Sequence, residues 1–368
     1  MYSNFHDAFS GRSVFVTGHT GFKGSWLSLW LHELGAKVTG YSLEPPTEPN
    51  NFTVSGIEAL LTNHYEADVR DAGTLHKALA QAEPDVILHL AAQSVVKTGY
   101  EIPRETFETN VIGIASLLDG VAKLQRPCTV VVVTSDKCYE NREQVWGYRE
   151  NDPFGDHDPY GASKGAAEIL VRCYRESFFH PSRLAEHGVK LASARAGNVI
   201  GGGDWTANAL AVDMVKAFSE EKVLEIRSPG ACRPWQHVLQ ALSGYLTLAA
   251  KLLDSDEPRL CDGWNFGPTP GSELSVREVV DFFISEWGGG TWRDVSDSVQ
   301  QREAEILRLS IDKAIWQLDW RPLWDVEATF RYAVEWYKAY VDGCTSMQAL
   351  GLEQIQAYEE ALAARSRQ

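Results

Sequence analysis

The sequence predicts a doubly wound α/β fold, a parallel Rossmann-type sheet covered by helices, with a smaller, loop-rich C-terminal substrate region. Three observations predict it. Strand and helix signals alternate through the first half of the chain. Two near-continuous apolar runs, "DVILHLAA" (85–92) and "CTVVVVTS" (128–135), have the pattern of strands buried on both faces. A glycine-rich turn, "TGHTGFKG" (17–24), stands where a first strand gives way to a first helix.

The elements follow in order. "SVFVT" (13–17) is a β-branched run that predicts the first strand, and "WLSLWLHELG" has helical spacing after it. "AKVTGY" (36–41) predicts a second strand, which "EPPTEPNN" terminates. "HYEADV" is a weaker third strand, and "DAGTLHKALAQA" is a helix with Asp71 as its N-cap. Beyond about residue 196 the texture changes, with "GNVIGGGDW", "RSPGACRPWQ" and "WNFGPTPGSE" reading as loops between shorter elements. The expected division is a dinucleotide-binding domain over 1–196 and a smaller region over 197–368, discontinuous, with segments returning to the first. The final "SMQALGLEQIQAYEEALAARSRQ" is expected to be a surface or subunit-contact helix.

Composition narrows the function classes. A chain of 368 residues that is 44% hydrophobic and 23% charged has ample core for one large or two modest domains. A net charge of -16 argues against nucleic acid or an anionic membrane as the main partner. The six cysteines form no CxxC pair, which predicts reduced thiols rather than disulfides or a metal site. "MYSNFHDAFSGRS" has neither a basic nor an apolar targeting region, and no apolar stretch approaches a membrane span, so a cytoplasmic protein is expected.

Gly18, Gly21 and Gly24 allow a tight turn and close approach of backbone N–H groups to a pyrophosphate at the helix N-terminus. His19, Phe22 and Lys23 fill the same turn and are assigned to the cofactor with it. An acidic residue usually ends the second strand and holds the ribose hydroxyls; here Ser42 stands there, which predicts a weaker hold on NAD. No basic residue at that strand end favours NADP. Asp68 and Val69, after the third strand, frame an adenine or else form an exposed turn. In "PYGASKGAAE" (159–168), Tyr160 and Lys164 lie four apart on one helix face. The ammonium is then placed to lower the phenol's pKa and reach the cofactor ribose, although Tyr-x-x-x-Lys is also a common chance pattern. The strand "VVVVTS" runs into Ser135, Asp136 and Lys137, an acid and an amine side by side that in isolation read as a solvated turn.

Together "GHTGFKGSWLSLWL", "HLAAQ" (89–93), "TSDKCYEN", "WGYREND", "YGASK", "RAGNVIGGGDW" and "RPWQHV" resemble the extended short-chain dehydrogenase/reductase family. Within it they resemble the nucleotide-sugar 4,6-dehydratases, most closely those acting on CDP-glucose. The resemblance implies NAD as cofactor, with Ala91 and Ala92 beside it, and CDP-glucose as substrate. It implies carbon-4 oxidation, loss of water across carbons 5 and 6, and hydride return to carbon 6. In the dTDP-glucose relatives the triplet at the strand end is Thr-Asp-Glu; here Ser135 and Asp136 match the first two, and Lys137 replaces the glutamate base. The implied roles are Tyr160 as the carbon-4 base, Ser135 on the carbon-4 oxygen, Asp136 as acid and either Lys137 or another group in its stead as the carbon-5 base. Asn198 and Arg233 match positions that hold the sugar diphosphate. Gln93 and Arg302 are further substrate candidates, Arg302 reading equally as a surface arginine, and Trp205 is a weaker candidate for stacking on the cytosine. His237 reads as a packed structural histidine. A homodimer or higher homo-oligomer through the helices flanking Tyr160, and a place in bacterial deoxysugar and polysaccharide synthesis, follow from the same resemblance. The rivals are a 4-epimerase on the same scaffold, which has no use for the Asp-Lys pair, and a non-catalytic dinucleotide-binding protein, which has none for Tyr160 and Lys164.

Overall fold

The computed structural model describes residues 5, 7–207, 209–269, 271–296 and 307–365. A seven-stranded, wholly parallel sheet forms its centre. The strands are β1 (Ser13–Thr17), β2 (Lys37–Ser42), β3 (Asn63–Glu66), β4 (Val86–His89), β5 (Cys128–Val133), β6 (Val189–Ala196) and β7 (Gly263–Phe266). Their order across the sheet is β7-β6-β5-β4-β1-β2-β3, so the winding reverses between β1 and β4. Strands with this reversal open a crevice at their carboxyl ends, where ligands of doubly wound sheets bind. Alternate residues serve opposite cores: Val131 and Val133 of β5 pack into one hydrophobic cluster, Val130 and Val132 into the other.

The helices that matter to the site are α1 (Phe22–Glu33), α2 (Ala72–Ala82), α3 (Gly113–Leu124), α4 (Pro159–Ser177), α5 (Val238–Asp254), α6 (Val326–Val341) and α7 (Met347–Arg365). Asp71 caps α2 as expected, its side chain accepting from Thr74 N. Eight consecutive residues of α1, Gly24 to Leu31, are buried, so this helix is enclosed on all sides. The C-terminal α7 supplies part of that enclosure. Trp30 Nε1 donates to Glu359 Oε1 at 2.8 Å, Tyr358 packs edge-on to Trp30, and Tyr358 OH lies 3.0 Å from Ser243 Oγ on α5. The expected surface helix is therefore a brace behind the glycine-rich turn, with Met347, Gly351, Ile355, Tyr358 and Leu362 buried.

The structure also corrects the reading of "WNFGPTPGSE" as loop. Trp264, Asn265 and Phe266 are buried in β7, which pairs with β6 from Ser193 to Ala196. Four residues followed by Gly and Pro carry too little periodicity to announce a strand; pairing with a distant neighbour makes it one. Trp205 is likewise core, packed against Tyr337 and Tyr340 at 5.3 and 5.2 Å between ring centroids, and is not a stacking platform. His237 is fully buried, its Nδ1 accepting from Leu239 N, with its ring 4.8 Å from that of Trp324. Among the described residues no helix is long and apolar enough to cross a membrane.

Gly202 lies against the Trp336 ring so closely that a Cβ there would sit 1.9 Å from the indole, while its carbonyl accepts from Trp26 Nε1 at 2.8 Å. Gly202→Ala is expected to destabilise the protein by about 1–3 kcal/mol through overpacking, read as a lowered denaturant midpoint. An unchanged midpoint refutes this packing.

Candidate active site

β1 ends at Thr17, and four residues later α1 begins. Gly18 turns the chain with φ +73, a conformation that side chains disfavour. A Cβ on Gly24 would fall 2.0 Å from the Gly18 carbonyl oxygen, and one on Gly18 would fall 2.7 Å from Ala91 N. Thr17 Oγ1 accepts from Leu90 N and Ala91 N, each at 3.2 Å, which braces the ends of β1 and β4 together. Gly21 and the half-buried Phe22 open α1, and Ala91 and Ala92, also half-buried, follow β4. The result is a backbone-lined hollow at the N-terminus of a helix, which suits a pyrophosphate.

The side chains around this hollow have separate fates. His19 turns inward, its Nε2 2.7 Å from His64 Nδ1 and its ring edge-on to Phe52. Burial, and then His64, hold its pKa down to about 3, so the imidazole is neutral. Lys23 is held down to about 8 by burial, against the opposing charges of Asp136 and Asp204. Ser42, the last residue of β2, has its Oγ 2.8 Å from Thr20 Oγ1. Asp68 is taken by Arg70: Oδ1 accepts from the backbone N at 2.8 Å, and Oδ2 from Nη2 and Nε at 2.6 and 2.9 Å. Burial raises that carboxyl, but the Arg70 hydrogen bonds and charge outweigh it and leave the pKa below the usual range. Val69 is buried against Gly113 of α3.

The acid and amine that end β5 meet α4 across a narrow gap. Asp158 caps α4, accepting from Tyr160 N and Gly161 N at 2.9 and 3.0 Å, and Pro159 occupies the first turn. Gly161 and Gly165, one turn apart, let the turn Asp136–Cys138 lie against the helix. A Cβ at Gly161 would sit 2.9 Å from Lys137 O, and one at Gly165 3.0 Å from Cys138 O. Tyr160 and Lys164, on the same helix, are both buried there. Ser135 Oγ donates to Asp136 Oδ1 at 3.0 Å, accepts from Lys137 N at 3.2 Å and is hydrogen-bonded to the Tyr160 phenol. Lys137 is half-buried.

Burial governs the protonation of this group. It raises Asp136 above the usual carboxylate range, although Lys137, Ser135 and Lys23 all pull the other way. It lowers Lys164 to about 8, helped by the charge of Lys23 and opposed by Glu168. The Tyr160 phenol is pushed up, not down as expected from Lys164: burial dominates, with Asp136 and Asp158 adding to it and Ser135 opposing.

A cavity of about 240 Å³ opens from Asp136, with Trp146, Gly197, Pro234, Gly267 and Arg308 in its walls. Gly197 abuts Asp136, since a Cβ there would lie 2.7 Å from Oδ2. Asn198 therefore follows directly beside the acid, and its carbonyl accepts from Gln236 N at 3.2 Å. Arg233, half-buried, donates through Nη1 to its neighbour's carbonyl, Cys232 O, at 2.9 Å. The Gln93 amide is occupied by its own loop: Nε2 donates to Thr106 Oγ1 at 2.9 Å and Oε1 accepts from Val95 N at 2.6 Å. Arg302 lies outside the described residues. Sequence reasoning missed Trp146 and Arg308 in the cavity wall, and Glu168 beneath Lys164. Only Glu168 left a signal, four residues after Lys164 on the same helix face.

Comparison with known proteins agrees with this geometry. Residues 15–186 match the GDP-mannose 4,6 dehydratase family. A CDP-glucose 4,6-dehydratase of Salmonella typhimurium is 46% identical over 333 residues, 90% of this chain and 92% of that protein. A dTDP-glucose 4,6-dehydratase of Xanthomonas campestris is 24% identical over 91% of this chain and 98% of its own. Among solved structures, the dTDP-glucose 4,6-dehydratase of Streptomyces venezuelae superposes with a TM-score of 0.73 at 24% identity, covering 88% of this chain and 96% of that one. The UDP-glucose 4-epimerase of Thermotoga maritima superposes with a TM-score of 0.74 at 20% identity, covering 89% and 99%. The shared backbone and the near-complete alignment at 46% identity establish that the chain belongs to the extended short-chain dehydrogenase/reductase family, among its nucleotide-sugar 4,6-dehydratases.

Proposed function

We propose that the protein is an NAD-dependent dehydratase that converts CDP-glucose to CDP-4-dehydro-6-deoxyglucose. The observation that carries this reading is the 46% identity, over nine-tenths of both chains, to a CDP-glucose 4,6-dehydratase. The turn Ser135–Asp136–Lys137 packed against Tyr160 supports it, because an epimerase has no elimination for that pair to perform. Residues 1–196 carry the cofactor and 197–368 the substrate region, with β7 returning to the sheet.

Bound NAD supplies the hydride acceptor at carbon 4 and the donor at carbon 6. No Cβ fits at Gly18 or Gly24, so the turn packs tightly on itself and on Ala91 and brings its backbone N–H groups to the N-terminus of α1, where a pyrophosphate binds. Gly18, Gly21, His19 and Phe22 supply that turn; Lys23 and Lys164 supply positive charge; Ser42, Asp68, Val69, Ala91 and Ala92 border the adenosine half. Tyr160 takes the proton from the carbon-4 hydroxyl, with Ser135 hydrogen-bonded to the same oxygen. Lys137 then takes the carbon-5 proton, which the new ketone has acidified. Asp136, pushed towards its protonated form by burial, gives its proton to the carbon-6 hydroxyl, which leaves as water. Asn198, Arg233 and Arg302 hold the sugar diphosphate. Gln93 acts on the substrate through the loop its amide orders.

The reading extends to assembly and location. Tyr100, Ile112 and Ile169 are 64%, 54% and 50% exposed on the helices around Tyr160, an apolar face suited to a second copy. Six free thiols suit a reducing cytoplasm, where the product feeds deoxysugar synthesis. The function is tested by incubating protein and NAD with CDP-glucose, UDP-glucose and dTDP-glucose in parallel. A 4-keto product formed from CDP-glucose in preference to the others supports the reading, and turnover of another sugar alone refutes it.

Lys137→Met is expected to leave carbon-4 oxidation intact and stop elimination. Mixed with CDP-glucose, the variant accumulates reduced nicotinamide, forms no 4-keto-6-deoxy product and admits no solvent deuterium at carbon 5. Near-normal product formation assigns the carbon-5 base elsewhere.

Cofactor retention should be weak, because Ser42 lacks the charge of the usual acid and its hydroxyl is shared with Thr20. Ser42→Asp is expected to tighten NAD by about 1–3 kcal/mol, roughly ten- to a hundredfold. The purified protein gains activity on adding NAD; full occupancy after extensive dialysis contradicts this.

Lys23 and Lys164, both held down to about 8, set a pH dependence. Below that value the ammonium of Lys23 attracts the pyrophosphate and that of Lys164 donates to the cofactor ribose; above it both are neutral. NAD affinity should therefore be level up to about pH 7 and fall by about pH 9.5, with proton uptake on binding near pH 8. Calorimetry in buffers of different ionisation enthalpy measures both. Constant affinity across that range overturns the assignment.

A further inference from the structure

Behind the catalytic turn lies a buried polar chain that the reaction itself does not use. Glu168 on α4 and Arg195 on β6 form a two-point ion pair, each 3% exposed. Arg195 Nε donates to Oε1 at 2.8 Å and Nη2 to Oε2 at 2.7 Å. Glu168 also accepts from Thr134 Oγ1 at 2.5 Å and from Ser193 Oγ at 2.7 Å. Thr134 immediately precedes Ser135, so the carboxylate fastens the end of β5 to the helix that carries Tyr160 and Lys164.

The chain continues outward through one phenol. Arg195 Nη1 donates to Tyr139 OH at 2.6 Å, and Tyr139 OH donates to Asn265 Oδ1 at 2.8 Å. Asn265 Nδ2 in turn donates to the carbonyls of Tyr148 and Ser310, at 2.9 and 3.1 Å. Tyr148 adjoins Gly147, and Ser310 lines the cavity that opens from Asp136. Tyr139 and Asn265 are both fully buried, and the Tyr139 ring stacks on Tyr148 at 5.3 Å. Every link is a hydrogen bond inside the protein, where an unmade partner costs most and a completed network fixes geometry.

We propose that Tyr139 is a positioning residue for the elimination step, its hydroxyl tying the Asp136–Lys137 turn to the substrate-cavity wall through Asn265 and to α4 through Arg195 and Glu168. The inference rests on the dehydratase reading above. It separates the two halves of the reaction. Tyr160 and Lys164 are fixed by α4 and its Asp158 cap, whereas Asp136 and Lys137 sit on a short turn whose far end is Tyr139. Loosening that end displaces the acid and the amine while leaving the phenol in place. A misplacement of about 1 Å is enough to slow a step by roughly a hundredfold.

Tyr139→Phe removes the hydroxyl and keeps the ring in its stack. Two readouts test it. Hydrogen exchange of the amides of residues 137–139, with NAD alone, should accelerate about tenfold while α4 stays protected. With CDP-glucose, elimination should slow roughly 10- to 100-fold and carbon-4 oxidation change little, so that reduced nicotinamide accumulates. Asn265→Ala breaks the same link from the cavity side and should give the same pair of changes. Unaltered exchange of the turn in both variants overturns the link. Faster exchange with both half-reactions slowed equally overturns the positioning role and leaves a purely structural one. Wild-type protein inert to CDP-glucose, beside variants whose turn exchanges faster, strikes at the substrate reading and supports the link.

Discussion

The site depends on how closely α4 approaches the end of β5. Gly161 and Gly165 let the backbone of residues 137 and 138 touch the helix, and a methyl group at either position would push them apart. With that spacing, the phenol and amine of the helix are buried beside the carboxyl of Asp136, with the half-buried Lys137 next in the chain. The remaining contacts hold the spacing once it exists. Asp158 starts the helix at the right residue, and Glu168 pins its third turn to Thr134, Ser193 and Arg195. A catalytic group on a strand end and one on a helix thus behave as parts of one rigid body.

Closeness has an electrostatic consequence. Taking charged groups from water disfavours their charged forms, and here that effect is the largest on Asp136, Tyr160, Lys23 and Lys164 alike. The acid is pushed towards its protonated form, as a donor to a leaving hydroxyl requires, while the two amines, at about 8, stay mostly ammonium at neutral pH. Glu168 escapes the trend, its carboxyl held below its usual range because the charge and hydrogen bonds of Arg195 and the hydroxyls of Thr134 and Ser193 outweigh burial. One buried carboxyl is therefore held towards its charged form and another towards its protonated form. Their difference comes from partners, not from depth.

Local pattern made the first half of the fold and the positions of Tyr160 and Lys164 legible in the sequence. A glycine-rich turn between an apolar run and a helix, and residues four apart on that helix's counterpart, are short-range signals. The rest is non-local. The strand Gly263–Phe266 is a strand because Ser193–Ala196 offers it a partner, and nothing within four residues says so. The C-terminal helix has polar residues all round, yet Tyr358 and Glu359 meet Trp30 more than three hundred residues earlier. The inward turn of His19 depends on His64 and Phe52, and the occupation of Gln93 depends on Thr106. Tyr160 shows the same limit: its spacing to Lys164 was visible, but its pKa direction was decided by burial that only the assembled fold supplies.

Backbone alone does not choose the chemistry. The chain superposes on a dehydratase and on an epimerase with TM-scores of 0.73 and 0.74, a difference without meaning for function. Both activities begin by oxidising carbon 4 and need the phenol, the lysine beneath it and the dinucleotide crevice. They part when the ketone has formed, because only a dehydratase must then remove a proton from carbon 5 and protonate a leaving hydroxyl. On the proposed assignment that demand falls on Asp136 and Lys137, in the turn after β5. An acid pushed towards its protonated form and an adjacent amine there have no task in returning a hydride to the carbon it left. On the proposed assignment, specificity for the reaction resides in the turn Asp136–Cys138 and in whatever keeps it in register with α4, while the remainder of the sheet serves either outcome equally.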